Sequence, residues 1–430
     1  MYVADSRAGS PAPASADGAA RPPAGRRRAA VAPTVLALGT VSLVTDVSSE
    51  MVTAVLPLYL VAGLGLSPLG FGLLDGIYNG FSALVRLAGG HLADRGGGRH
   101  KWVAGLGYGI SALCKPLLLL VHSLTPIGLV LAADRTGKGL RTAPRDALIS
   151  LSSTPESRGR AFGVHRAMDT AGALLGPLVA FLILRATVDG YDAVFTVSFC
   201  VAVAGVLILV LFVPGGKRQP APAEQPERTA HGDRPTLRAA VGLLRRRELR
   251  RIAVCALLLG LATVSDSFVY LLLQRRLGVP DRWFALLPLG TAAAFLVLAV
   301  PLGRLADRVG RWAVFLAGHV ALLLAYALLL TSWHGTALPY AVLLLHGGFY
   351  AATDGVLMAA ASDGVPEHLR SSGLALVQTG QALARFACSL GFGAAWTVWG
   401  DRTALTASTV ALAACAAFSL TLRPRDKATA

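Results

Sequence analysis

Charge is scarce in this chain. Asp, Glu, Lys and Arg make up only 15% of the residues, against a hydrophobic share of 54%, which excludes an ordinary soluble domain. Acidic residues are rarer than basic ones, 24 against 40, leaving a formal net charge of +16. Cysteine is nearly missing: Cys114, Cys200, Cys255, Cys388 and Cys415 each stand alone in a different apolar stretch. No two have the spacing of a metal site or redox pair, so they read as packing residues. There is no nucleophile elbow, metal-ligand motif or glycine-rich phosphate loop. The tails and loops are too short for a catalytic or signalling domain. An enzyme or sensor is therefore not expected, and neither cofactor nor metal is implied. The first 31 residues lack the apolar core of a signal peptide, so the first membrane helix should insert uncleaved.

What the chain has is long apolar runs. Twelve are predicted to cross a bilayer as helices, near 34–62, 67–92, 101–121, 124–150, 160–186, 190–213, 250–274, 281–303, 311–332, 338–361, 372–398 and 403–422. The alternating ten-residue segments of a β-barrel are absent. Basic residues gather in one set of loops and both tails, while the opposite loops hold only Arg185, Arg275, Arg276, Arg282 and Arg402. The positive-inside rule then puts both termini in the cytoplasm, in a multi-pass protein of the cytoplasmic (inner) membrane. The positive charge is a topology signal with anionic lipid headgroups as partners, and nucleic acid is not expected. Residues 1–33 should be a disordered tail, 34–213 one six-helix bundle, 250–422 a second, and 423–430 a cytoplasmic tail. Between the bundles, 214–249 form a Pro-rich cytoplasmic linker ending in a short amphipathic helix with Leu237, Val241, Leu243 and Leu244 on its apolar side.

The two bundles are related. Gly90-His91-Leu92-Ala93-Asp94-Arg95-Gly96-Gly97 returns as Gly303-Arg304-Leu305-Ala306-Asp307-Arg308-Val309-Gly310, 213 residues further on. Each copy lies where an apolar segment ends and a charged turn begins. Duplication in a hydrophobic chain points to a transporter with its site between the halves.

These motifs resemble the loop between helices 2 and 3 of the major facilitator superfamily, G-x-L-a-D-r-x-G-r-k. The second copy is close, and the first departs at Gly98. The resemblance spans about residues 34–422 and implies an all-α membrane protein, twelve transmembrane helices in two pseudo-symmetric six-helix bundles. It implies a gating role for Gly90, Asp94, Arg95, Gly97, Gly303, Asp307, Arg308 and Gly310, with turn shaping as the plain alternative. Leu131-x-x-x-Arg135-x-x-Lys138-Gly139 resembles the family's helix-4 pattern, in which the Arg is tied to proton movement. Gly172, Gly176 and Pro177 resemble the antiporter motif of helix 5, although Ala180 and Phe181 replace its last glycines. Small residues at this spacing also serve ordinary packing.

Ionisable residues within the spans are the remaining signal. Each one left facing lipid costs about 2.5–3.5 kcal/mol on insertion scales. The fourth segment carries Asp134, Arg135, Lys138, Arg141, Arg145 and Asp146, with 134, 138, 141 and 145 on one stripe. Asp46 and Glu50 are i, i+4 neighbours in the first segment. Such a pair can share a proton, or be permanently bridged to the arginines of the fourth segment. His165, Arg166 and Asp169 form a cluster in the fifth segment. Asp75, Arg86 and Lys115 complete the first half. In the second half, Asp266 and Asp354 are candidates alongside Arg385, and His319 and His346 read as satisfied structural residues. The resemblance implies that segments 1, 4, 7 and 10 line the central cavity, where Asp46, Glu50, Arg135, Asp266 and Asp354 all fall, and that 3, 6, 9 and 12 lie outermost.

The expected function is secondary transport of a small organic solute by alternating access, coupled to protons and directed outward, by a monomer. Protonation of Asp46 or Glu50 is expected to weaken its pairing with Arg135. The alternative is uptake or exchange of an anionic metabolite through the basic residues of the first half. A metal-ion cargo held by Asp46, Glu50 and His165 has no diagnostic ligand spacing behind it.

Overall fold

The computed structural model describes residues 32–95, 100–154, 157–187, 190–214, 247–332, 335–363 and 370–421, without side chains at 82–84, 86–95, 143, 158, 247–248, 355, 358–363 and 370–376. The expected N-terminal tail, the Pro-rich linker with its amphipathic helix up to residue 246, and the C-terminal tail lie outside the described residues.

The described residues are helical almost throughout. The first half contains α1 (Pro33–Leu58, continued by a π turn over Tyr59–Gly63), α2 (Pro68–Arg95), α3 (His100–Leu120), α4 (Leu124–Leu151), α5 (Arg158–Ala186) and α6 (Gly190–Phe212). The second contains α7a (Arg247–Ala262), α7b (Asp266–Leu277), α8a (Asp281–Phe284), α8b (Leu286–Val309), α9 (Arg311–Leu330), α10 (Leu338–Asp363), α11 (Arg370–Trp399) and α12 (Asp401–Thr421). α7a with α7b, and α8a with α8b, each make one span. Among the described residues, eight spans are long and apolar enough on their own to cross a bilayer. α4 falls outside that set because its charges interrupt the apolar run, so tertiary burial rather than lipid must hold it.

α3, α6 and α12 sort their residues by face. Trp102, Leu106, Leu113 and Leu120 on α3, Leu207, Leu211 and Phe212 on α6, and Val410 and Leu420 on α12 are exposed, and these apolar faces meet lipid. Within the first half α1 packs on α5 and α6, and α3 on α4. Small residues allow the closest approaches. A Cβ on Gly172 would lie 2.5 Å from the Leu43 carbonyl oxygen, and one on Gly176 would lie 2.6 Å from Glu50 Cβ. The glycines of the antiporter-like motif thus bring α5 against the face of α1 that carries the carboxylates.

The halves meet chiefly through α2 and α11. A Cβ on Gly72 would run into the Ser389 carbonyl oxygen and one on Gly393 into that of Pro68. Leu69 N–H donates to Thr397 Oγ1 at 3.0 Å. Phe268 of α7b sits between the halves, edge-on to Phe71 and Phe392 and tilted against Trp396. Phe181 meets Trp283 at the same end of the molecule.

Candidate functional site: an ion ladder and a broken helix

Lys138, Arg141 and Arg145 recur every three or four residues on α4 and share a face. Asp46 and Glu50 are one turn apart on α1, so the two series run in register. Lys138 Nζ lies 3.8 Å from Glu50 Oε1. Arg141 Nη2 donates to Asp46 Oδ1 at 3.1 Å. Arg145 Nη1 stands 3.7 Å from Asp169 Oδ1 on α5, and its Nη2 lies 3.0 Å from Asp146. The result is a ladder of three cations against carboxylates of two neighbouring helices. Its rungs differ in access. The Arg141 side chain is 4% exposed and hydrogen-bonded to Asp46. Lys138 and Glu50 are 36% and 27% exposed and stand at charge-pair distance. The middle rung is sealed, and the Lys138–Glu50 rung opens to solvent. A buried pair resists separation, and an exposed one yields cheaply.

Arg135 does not join Asp46 or Glu50 as expected. It lies about 60° round the helix from Lys138, because three residues advance 300°. Its guanidinium stacks 3.6 Å over the Tyr78 ring of α2 and donates to Asp134 Oδ2 at 2.6 Å. Lys115 of α3 approaches Asp134 at 3.8 Å and donates to the Ser111 carbonyl at 2.9 Å. Lys115, Asp134, Arg135 and Tyr78 line a small internal pocket with Cys114 and Ser49. The stripe read from sequence is therefore split: Asp134 serves α3, while 138, 141 and 145 serve α1 and α5.

In the α5 cluster, Asp169 lies at ion-pair distance from Arg145 and accepts from the exposed Arg166 at 3.5 Å. His165 is buried and its Nε2 lies 2.9 Å from Ser42 Oγ, which Arg145 Nη1 also reaches at 3.4 Å. Ser42, rather than Asp169, is its hydrogen-bond partner among the described residues.

The second half carries a different arrangement. Span 7 breaks at residues 263–265. Tyr326 Oη accepts the freed Val264 N–H at 2.9 Å, and the Cys388 thiol donates to the Thr263 carbonyl at 3.1 Å. Asp266 opens α7b. It accepts the Tyr350 hydroxyl, and His346 Nε2 stands 3.4 Å from the same oxygen. Thr291 is 3.3 Å from His346 Nδ1. His346 thus lies between Asp266 and Thr291. The i, i+4 spacing of His346 and Tyr350 carried this signal, since both lie on one face of α10 toward α7b. His319 is structural as expected, with its Nδ1 2.9 Å from the Phe315 carbonyl oxygen. Asp354 and Arg385 line a second pocket with Thr353, Gln381 and His319. Arg385 is near both Asp266 and Asp354, and no ion pair among the described residues joins either acid to the ladder.

Of the two loop motifs, Gly97 and the side chains of Asp94 and Arg95 lie outside the described residues, and Gly90 is seen only as helix backbone. In the second copy Gly310 has φ 98°, a conformation that favours glycine. A Cβ on Gly303 would meet nothing within 4 Å, so no close helix approach depends on it here. Asp307 and Arg308 are exposed.

Comparison with known proteins agrees with this architecture. An uncharacterised MFS-type transporter of Methanocaldococcus jannaschii is 30% identical over 388 residues, covering 88% of this chain and 92% of that protein. An uncharacterised protein of Mycobacterium tuberculosis is 33% identical over 157 residues, 36% of this chain and 38% of its own. Among solved structures, the nucleoside transporter NupG superposes with a TM-score of 0.75 at 15% identity, covering 90% of this chain and 98% of that one. A peptide transporter POT variant gives 0.71 at 15% identity, covering 92% and 95%. At such identity these two share the fold, and their cargoes are their own. The family model of the Major Facilitator Superfamily matches residues 38–389. This chain is a membrane-embedded, multi-pass transporter belonging to the Major Facilitator Superfamily.

Proposed function

We propose that the chain is a proton-coupled secondary transporter that exports a small organic solute across the cytoplasmic membrane, with both termini in the cytoplasm. The observation that carries this reading is the ladder, in which a sealed Asp46–Arg141 pair adjoins the accessible Glu50–Lys138 pair. Proton coupling needs a carboxylate whose neutralisation changes the conformational balance. A proton on Glu50 releases Lys138, and a proton on Asp46 strands Arg141 in a buried site. Each event alters the contacts between α1 and α4, two helices expected to line the central cavity. The cation partners in this scheme are Lys138 and Arg141 in place of Arg135. Export rests on the resemblance of Gly172, Gly176 and Pro177 to the antiporter motif, whose close packing against α1 ties α5 to the same carboxylates.

The test is flux of candidate solutes in proteoliposomes under an imposed pH gradient. Asp46→Asn with Glu50→Gln should abolish gradient-driven transport while the protein still folds. Undiminished driven transport in that variant removes the proposal.

A second reading, an anionic cargo, is supported by Arg166. Its side chain is 71% exposed and held only at 3.5 Å by an Asp169 that Arg145 already engages. Competition by simple anions, lost in Arg166→Gln, distinguishes it from a neutral or cationic cargo.

A further inference from the structure

Asp75 stands apart from the carboxylates described within the spans of α1, α4 and α5. Asp46, Glu50, Asp134, Asp146 and Asp169 each face a Lys or Arg. Asp75 is 5% exposed and none of the ion pairs among the described residues includes it. Its partners are neutral. Asn79 Nδ2 donates to Oδ1 at 3.1 Å, and Ser389 Oγ of the opposite half donates to Oδ2 at 2.7 Å. The hydroxyls of Ser265 and Ser267, at the break in span 7, adjoin it as well. It therefore lies in the seam between α2 and α11, where Gly72 and Gly393 bring backbone onto backbone and Phe386 covers Gly76 and Gly80. The charged groups around it come from three directions. Asp266 on α7b is an anion already engaged by Tyr350 and His346. Arg385, one turn along α11 from Ser389, is set among Tyr350, Asp266 and Asp354. Arg135 on α4 lies behind Tyr78 and is paired with Asp134.

A carboxylate closed away from water without a cation is unfavourable, and the ordinary resolution is to bind a proton. The groups around it are neutral hydroxyls and an amide, and among the described residues no three His, Cys, Asp or Glu side chains gather as a metal site would. We propose that Asp75 is a proton-binding gate residue: the α2–α11 seam closes over its neutral acid and opens when the proton is lost to water. The neutral acid has one O–H to donate, and the Asp75–Ser389 contact accommodates it because a hydroxyl both donates and accepts. The proposal rests on the chain being an alternating-access transporter, and is independent of which ladder carboxylate couples to the cargo.

The experiment reads the seam directly, without solute or gradient. Leu69→Cys and Thr397→Cys are introduced together, since the two residues are hydrogen-bonded across the seam. Closure is followed by a short bis-thiol reagent in nanodiscs between mildly acidic and mildly alkaline pH. The chain without the pair serves as control for the five native cysteines. Cross-linking should be several-fold greater on the acid side, after correction for thiol reactivity measured on each single cysteine variant. Asp75→Asn, which mimics the neutral acid, should cross-link at the acid-side level at both pH values. Ser389→Ala should lower cross-linking throughout yet keep its pH dependence, which guards against a folding defect in the Asn variant. An unchanged pH dependence in Asp75→Asn overturns the proposal. So does a seam that responds to sodium at fixed pH. Undiminished gradient-driven flux in Asp46→Asn with Glu50→Gln, with this pH response intact, would count against the ladder alone.

Discussion

The two bundles share a fold and differ in where they hold charge. The first half stacks Lys138, Arg141 and Arg145 of α4 against Asp46, Glu50 and Asp169. The second half spaces its acids apart: Asp266 meets a tyrosine and a histidine at the start of a broken helix, and Asp354 lines a separate pocket with Arg385. A duplicated scaffold has thus been specialised by side chains, because either half can bury apolar surface equally well. Ion pairs fix α1, α4 and α5 to one another through partners that cannot be removed singly without cost. The backbone break gives the second half a pivot made of neutral hydrogen bonds. The first half is suited to sensing charge, and the second to bending.

That contrast can be broken by substitution. The largest effect is expected at Arg141. Replacing it with Ala leaves Asp46 unpaired, a loss of about 3–5 kcal/mol for a buried pair. Thermal unfolding in detergent should show a clear drop, partly restored by adding Asp46→Asn. If Arg141→Ala is as stable as the parent, the middle rung is not sealed. Gly176→Val comes next. Its side chain would be forced onto Glu50 and Val47, with an overpacking penalty of about 1–3 kcal/mol, read as lower yield of monodisperse protein and lost flux. In the second half, Asp266→Asn keeps a hydrogen-bond acceptor for Tyr350. It should cost about 1 kcal/mol or less, since a neutral bond replaces a charge-assisted one. A loss as large as that at Arg141 would erase the difference between the halves. Lys138→Ala should be smaller still in stability, within about 1 kcal/mol for an accessible pair, while strongly reducing driven transport. That split between fold and flux would separate the Lys138 rung from the Arg141 rung. Asp307→Asn, in the exposed second loop copy, should leave unfolding unchanged and alter only transport rate.

Much of the architecture was legible in the sequence because lipid simplifies the problem. Apolar runs of span length must be helices, and clustered basic residues sort the loops. The motif copies at Gly90 and Gly303 showed the duplication. That Asp46, Glu50 and Lys138 need polar partners was also legible, since charge in a membrane helix demands a reason. Partner choice was not. Arg135 matched a family pattern and was expected against α1, but a rotation of about 60° and an adjacent Asp134 gave it to Tyr78. The i, i+4 spacing puts His346 and Tyr350 on one face of α10, but that Asp266 of a distant segment meets that face is a tertiary fact. The break at residues 263–265 was likewise invisible, because Thr263-Val264-Ser265 contains neither Gly nor Pro. Asp75 was noted only as one more charge. Its lack of a cation is a tertiary fact, set by the meeting of α2 and α11.

The central claim is that the ladder carboxylates take up the proton that drives transport. Its most direct measurement is proton flux accompanying solute flux in proteoliposomes, in the parent chain and in Asp46→Asn with Glu50→Gln. The account predicts that solute movement in the parent carries protons in the opposite direction and that the double variant carries none. Coupled proton movement of parental size in the double variant would contradict it.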